Sequence, residues 1–74
     1  MKEKDDTLGA HLWVDNYTDN LYSYAFKRVK DEDMARDLVQ ETFLAGLENS
    51  SSFEGRSSVL TWLTTILRNK IFFL

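Results

Sequence analysis

In Asp31-Glu32-Asp33-Met34-Ala35-Arg36-Asp37-Leu38-Val39-Gln40-Glu41-Thr42-Phe43-Leu44-Ala45-Gly46-Leu47-Glu48, the residues Met34, Ala35, Leu38, Val39, Thr42, Phe43 and Gly46 recur at steps of three and four. That period puts them on one side of a helix, as a stripe to be buried. Asp31 stands before the pattern as an N-cap, and Glu32 and Asp33 fill the first turn, where acidic groups oppose the positive end of the helix dipole. The pattern fades at Glu48 and Asn49, so the reading is one helix over about 32–48.

Working upstream, Trp13, Tyr17, Leu21, Tyr24, Ala25 and Val29 keep the same period and predict a helix over about 11–30. It closes in Lys27, Arg28 and Lys30, cations that suit a helix C-terminus. Downstream, the polar run Asn49-Ser50-Ser51-Ser52-Phe53-Glu54-Gly55-Arg56 breaks the periodicity and has the length of a helix connection. Ser57 or Ser58 then caps a third amphipathic pattern, Val59, Leu60, Leu63, Ile66, Leu67 and Ile71, predicting a helix over about 58–73. Residues 1–9 read as a flexible polar tail, because Lys2, Glu3, Lys4, Asp5 and Asp6 bring no apolar spacing to anchor them. The domain is therefore residues 10–74.

The composition agrees with an all-α, three-helix bundle. A chain of 74 residues with no cysteine and no proline holds one core at most and has neither disulfide nor thiolate metal site to supplement it. At 43% hydrophobic and 14% aromatic residues, apolar packing alone has enough material. Glycine occurs only at Gly9, Gly46 and Gly55, too sparse for the tight turns of a multi-stranded sheet. No apolar segment follows the charged start, and the run Ile71 to Leu74 is far shorter than a membrane span. A cytoplasmic protein with no membrane role is expected.

The net charge of −3 argues against gripping duplex DNA by phosphate neutralisation alone. The average conceals an asymmetry. Residues 1–48 carry six Lys/Arg against eleven Asp/Glu, whereas residues 49–74 carry Arg56, Arg68 and Lys70 against Glu54 alone. On the second helix, the side away from the stripe holds Asp33, Asp37, Gln40, Glu41 and Glu48 around the apolar Leu44. A solvated charged face is one reading of this pattern. A docking spot is another, with Leu44 filling a groove and the acids pairing with cations at its rim. A carboxylate metal cage lacks a second acidic helix to complete it.

The third helix brings Thr61, Trp62, Thr65, Arg68 and Asn69 together on its outer side, and the preceding loop adds Phe53 and Arg56. A ring to stack on, a cation for phosphate and an amide for a base edge are what a protein needs to hold unpaired bases. Phe53 and Trp62 equally fit as core residues that close the loop onto the other helices. His11 has no ligand partner at metal-binding spacing. The hydroxyl residues have no base to activate them, so neither a catalytic residue nor a cofactor is expected.

The run Asp37-Leu38-Val39-Gln40-Glu41-Thr42-Phe43-Leu44, preceded by Ala35-Arg36 and followed by Thr61-Trp62-Leu63 and Ile66-Leu67-Arg68-Asn69, resembles region 2 of a bacterial sigma factor of the extracytoplasmic-function (ECF) group. The resemblance covers about Leu21 to Ile71. It implies a transcription-initiation module that binds core RNA polymerase through the clamp helices of the β′ subunit, with Asp37, Gln40, Glu41 and Leu44 at that interface. It further implies that Phe53, Arg56, Trp62, Arg68 and Asn69 hold the single-stranded minus-ten element of promoter DNA. An anti-sigma factor is a further implied partner. The rival reading is a generic three-helix interaction module without nucleic-acid binding, which has no need of the Trp62, Arg68 and Asn69 face.

In the family the DNA-reading helix usually continues with an acidic residue and arginines, and Phe73 stands where an aspartate is common. The expectation is of a fragment or truncated product. Four consecutive apolar residues, Ile71-Phe72-Phe73-Leu74, cannot all face one core stripe, so one or two rings should point outward and favour a weak homodimer through this end.

Overall fold

Three helices lie where the periodicities put them. The structure, a computed structural model, describes residues 9–74, and the expected polar tail falls, for residues 1–8, outside the described residues. Helix α1 spans Trp13–Val29, α2 spans Glu32–Glu48 and α3 spans Val59–Phe72. Single 3-10 turns at Ala10–Leu12 and Ser50–Ser52 precede α1 and follow α2. The first helix was expected from about residue 11. Its opening residues instead form the 3-10 turn, in which the Leu12 N–H donates to the Gly9 carbonyl at 2.9 Å.

The joints follow local chemistry. Asp31 caps α2 by accepting from the Met34 N–H at 2.8 Å, which satisfies one of the four free donors at a helix start. Ser58 does the same for α3, accepting from the Thr61 N–H at 3.1 Å. Between α1 and α2 the chain turns on Lys30, whose φ of 58° is left-handed and whose N–H donates to the Phe26 carbonyl at 2.9 Å. Arg36 bridges Glu32 at 3.4 Å and Asp33 at 3.3 Å on the exposed first turn of α2.

The core draws on all three helices: Trp13, Leu21 and Ala25 from α1, Ala35, Leu38, Val39 and Phe43 from α2, and Leu63 and Leu67 from α3. Thr42 is buried among them and is satisfied within its own helix, donating to the Leu38 carbonyl at 2.8 Å. Gly46 is buried where α2 meets the other two helices. The sequence-predicted stripe errs at Met34, which is exposed. Met34 lies one turn before the buried Leu38 and shares its side of the helix, but it stands in the first turn of α2 and is not packed against the core.

Trp13 is 2% exposed and joins the parts of the core. Its ring stacks at 6.5 Å from Phe43 of α2 and meets Trp62 of α3 edge-on at 6.1 Å. Trp62 in turn lies 5.1 Å from Phe53, so a line of aromatic rings runs from α2 through the core to the α2–α3 loop. On the outside, Lys70 of α3 reaches Glu41 of α2 at 3.8 Å.

Candidate functional site

The solvent side of α2 is a ridge built by helical spacing. Asp37, Gln40, Glu41, Leu44 and Glu48 are all exposed, and Leu44 is 59% exposed at the centre. Leu47, one turn from Leu44 on the same helix, is also exposed and enlarges the apolar centre. It stands four residues after Phe43, on the flank of the core stripe, so spacing alone does not mark it as part of the exposed ridge. Glu41 carries the contact to Lys70, with both groups partly exposed, and water screening makes such a pair easy to exchange for another cation. Gln40 stands at the border of the ridge and also lines a cleft between α1 and α2 with Val14, Tyr22, Val39 and Phe43. The ridge thus offers an apolar centre, an amide and carboxylates without internal neutralisation, apart from that Lys70 contact. Such a surface matches a basic partner helix.

The second surface is the loop between α2 and α3. Gly55 adopts a φ of 75°, which turns the chain so that Arg56 Nε lies 3.1 Å from Glu54 Oε1. Ser52, Phe53, Glu54, Arg56, Ser57 and Trp62 line a shallow depression. Phe53 and Trp62 are each half-buried, so the two readings of these rings combine. Trp62 puts an edge into the core against Trp13 while its ring also borders the depression with Phe53. A half-open aromatic pair beside a guanidinium can receive a planar, anionic ligand by stacking and charge.

The five residues expected on one strand-holding surface do not form one cluster. Phe53, Arg56 and Trp62 share the loop depression. Arg68 lines a different groove, between α3 and α1, with Tyr24, Leu60, Thr61, Thr64 and Thr65. Asn69 is exposed and lines neither. The reason is angular: residues seven apart, such as Trp62 and Asn69, return to nearly the same side of a helix, whereas neighbours such as Arg68 and Asn69 point about 100° apart. The threonines contribute less polarity than their composition promises. Thr64 donates its hydroxyl to the Leu60 carbonyl at 2.7 Å, and Thr65 donates to the Thr61 carbonyl at 3.1 Å.

One feature of the α1 side escaped the sequence reading. The Arg28 guanidinium lies 3.6 Å over the Tyr24 ring, and its Nη1 donates to the Tyr24 carbonyl at 3.1 Å. Periodicity places Tyr24 on the core side, where it packs partly buried, and the helix dipole accounts for Arg28, but neither argument pairs the two. Their i, i+4 spacing was the available signal.

Among the described residues, no group of three or more His, Cys, Asp or Glu could hold a metal ion, and no helix is long and apolar enough to cross a membrane.

Comparison with known proteins adds the remaining finding. Residues 13–72 match the family model for sigma-70 region 2. The chain is 43% identical over 58 residues to the ECF RNA polymerase sigma factor SigX of Bacillus subtilis, covering 78% of this chain and 30% of that protein. It is 42% identical over 66 residues to the RNA polymerase sigma factor YlaC of the same organism, covering 89% of this chain and 36% of that one. The ECF RNA polymerase sigma factor EcfG of Rhodopseudomonas palustris is 41% identical over 66 residues, covering 89% and 33% respectively. The chain spans about a third of the length of these curated relatives. No solved structure matches it significantly.

Proposed function

The chain belongs to the sigma-70 region 2 family, and from that premise we propose that it acts in transcription initiation, docking on core RNA polymerase and holding a melted promoter strand. The observation that carries the reading is the exposure of Leu44 among Asp37, Gln40 and Glu41. An apolar side chain left in water at the centre of an acidic, amide-bearing ridge has no structural use within this bundle and gains free energy only when a partner covers it. The proposed partner of the ridge is the pair of clamp helices of the β′ subunit, with Asp37 and Glu41 meeting cations there and Lys70 yielding Glu41 on docking.

The loop depression is the proposed seat of the single-stranded minus-ten element. Phe53 and Trp62 supply the stacking surface, Arg56 the cation, and Arg68 and Asn69 flank it along α3. In this chemistry binding, orientation and strand capture are the activity, and no bond is made or broken by the domain. An anti-sigma factor is the proposed regulator, competing for the acidic ridge. The exposed Phe72 and Phe73 at the end of α3 support weak self-association of the isolated chain.

The test is capture of a β′ clamp-helix fragment by the wild type, Gln40→Ala and Glu41→Lys. Removing one partner of a desolvated charged contact typically costs about 2–5 kcal/mol, so Glu41→Lys should abolish capture and Gln40→Ala should weaken it. Equal capture by all three proteins would remove the ridge from the interface.

A further inference from the structure

Val14 and Tyr22 of α1 and Val39 and Phe43 of α2 wall a cleft of about 290 Å³ that is almost wholly apolar. Tyr22 also stacks on Phe26, with ring centroids 5.9 Å apart, so the α1 wall is aromatic. A recess of this size has room for a ring or a pair of rings and not for a helix, which is about 10–12 Å across with its side chains. Val14 is 61% exposed, and the apolar surface it leaves in water is removed from water only by an apolar occupant.

Two polar groups of the cleft lack firm acceptors. Arg36 holds Glu32 at 3.4 Å and Asp33 at 3.3 Å through exposed contacts, which water screens and another acceptor can replace. The Thr18 hydroxyl is buried without a partner, whereas Thr42, Thr64 and Thr65 each donate to the carbonyl four residues back. Threonine has two rotamers open to it in a helix, and exchange between them re-aims this donor. The occupant that matches such a cleft brings apolar rings together with hydrogen-bond acceptors.

The end of α3 has that make-up. Phe72, Phe73 and Leu74 are exposed in succession, and the two rings sit edge-to-face. The last turn of a helix carries carbonyls without intrahelical donors and the negative end of the dipole. Lys70, the cation of that turn, is engaged by Glu41 of its own chain.

We propose that the end of α3 of one copy seats Phe72 and Phe73 in the α1–α2 cleft of a second copy, with Arg36 and Thr18 of the receiving copy facing the helix end. The proposal rests on the reading that the chain associates weakly with itself, and it names the surface that receives the rings. A cleft covers an inserted ring from two sides, whereas two ring pairs meeting end to end shield one side each, so more apolar area leaves water in the seated arrangement. Gln40 lines the cleft and borders the acidic ridge, so a seated pair also covers one edge of that ridge. The contact joins unlike surfaces, and a copy with only its cleft intact therefore remains complementary to a copy with only its helix end intact.

Sedimentation equilibrium on the wild type, Val14→Glu, Phe72→Ser/Phe73→Asp and an equimolar mixture of the two variants tests this, with circular dichroism verifying that each is folded. Val14 lies in the first turn of α1, where a carboxylate suits the helix dipole, and its new charge would repel the incoming helix end. The wild type should associate weakly, and each variant alone should associate on the order of tenfold more weakly or worse, as when an anchor side chain is lost from an interface. The mixture should regain association, with one molecule of each variant per complex.

A mixture no more associated than its components, beside a wild type that does associate, overturns the cleft and leaves a symmetric contact between helix ends. Val14→Glu that associates as the wild type does overturns the cleft as well. A wild type that stays monomeric throughout defeats the self-association reading and the cleft with it.

Discussion

Gly46 has no room for a side chain. A Cβ added there would lie 2.7 Å from Leu63 Cδ2 and 3.0 Å from Trp13 Cζ3, and both neighbours are fully buried and cannot swing away. Alanine in place of a mid-helix glycine normally gains about 1 kcal/mol, while forcing an extra carbon into a packed core costs about 1–3 kcal/mol. Packing wins here because the clash involves two immobile side chains on two different helices. Gly46→Ala should lower stability by about 1 kcal/mol, read by urea denaturation, and a rise in stability would show that the helices separate readily at this crossing. The burial of Gly46 was legible in the sequence because it continues the three-and-four spacing of Leu38, Val39, Thr42 and Phe43. That of Met34 was misread for a related reason: periodicity assigns a side but cannot tell whether a neighbour extends far enough to cover it. Leu44 shows the converse, since its exposure was legible from its place opposite the stripe.

The connection from α1 to α2 depends on a residue that carries no sequence signal for it. Glycine or asparagine is the usual left-handed residue after a helix, and Lys30 occupies that conformation instead. Left-handed backbone costs a residue with a Cβ about 1–2 kcal/mol, while glycine adds about 0.4–1 kcal/mol of unfolded-state entropy to be lost on folding. Lys30→Gly should therefore stabilise the domain by about 0.5 kcal/mol, whereas Lys30→Val, with a branch at Cβ that tolerates positive φ poorly, should destabilise it. Parallel chemical denaturation of the two variants checks this, and a loss on substitution by glycine would show that the lysine head contributes more than its backbone costs. The other joints were readable, since Asp31 and Ser58 cap as side chains of their type do at helix starts. The loop from 49 to 58 was recognisable as a loop from its polarity. Its Ser50–Ser52 turn and the Gly55 bend were not, because three serines are compatible with many turns.

At the scale of the whole molecule, charge and apolar surface are sorted by face, and here sequence reading was weakest. The acidic ridge followed from one helix's own spacing, but the groove between α1 and α3 unites residues from helices about forty positions apart in sequence, a juxtaposition that only packing creates. The end of α3 was legible: Phe72 is 78% and Phe73 is 79% exposed, with their rings edge-to-face at 5.0 Å, so both rings face outward, within the one or two expected. Apolar surface of this kind tends to be covered by a partner. Sedimentation equilibrium should show weak, concentration-dependent association of the chain that Phe72→Ser/Phe73→Asp abolishes. Association that persists in the double variant would place the contact elsewhere, with Leu44 and Leu47 of the ridge as the alternative.

The contact between Trp13 and Trp62 makes the chain its own optical reporter. The sequence holds two tryptophans, one sealed in the interior and the other half-open beside Phe53. The emission should therefore divide into a blue component shielded from acrylamide and a redder component open to it. A ligand settling in the loop should dim the red component and, because the two indoles exchange excitation, draw down part of the blue as well, whereas unfolding should shift the whole emission to the red. With ring centroids only 6.1 Å apart, excitation should pass between the two indoles, and depolarised emission in the folded chain would register that the aromatic line is intact without any label being attached.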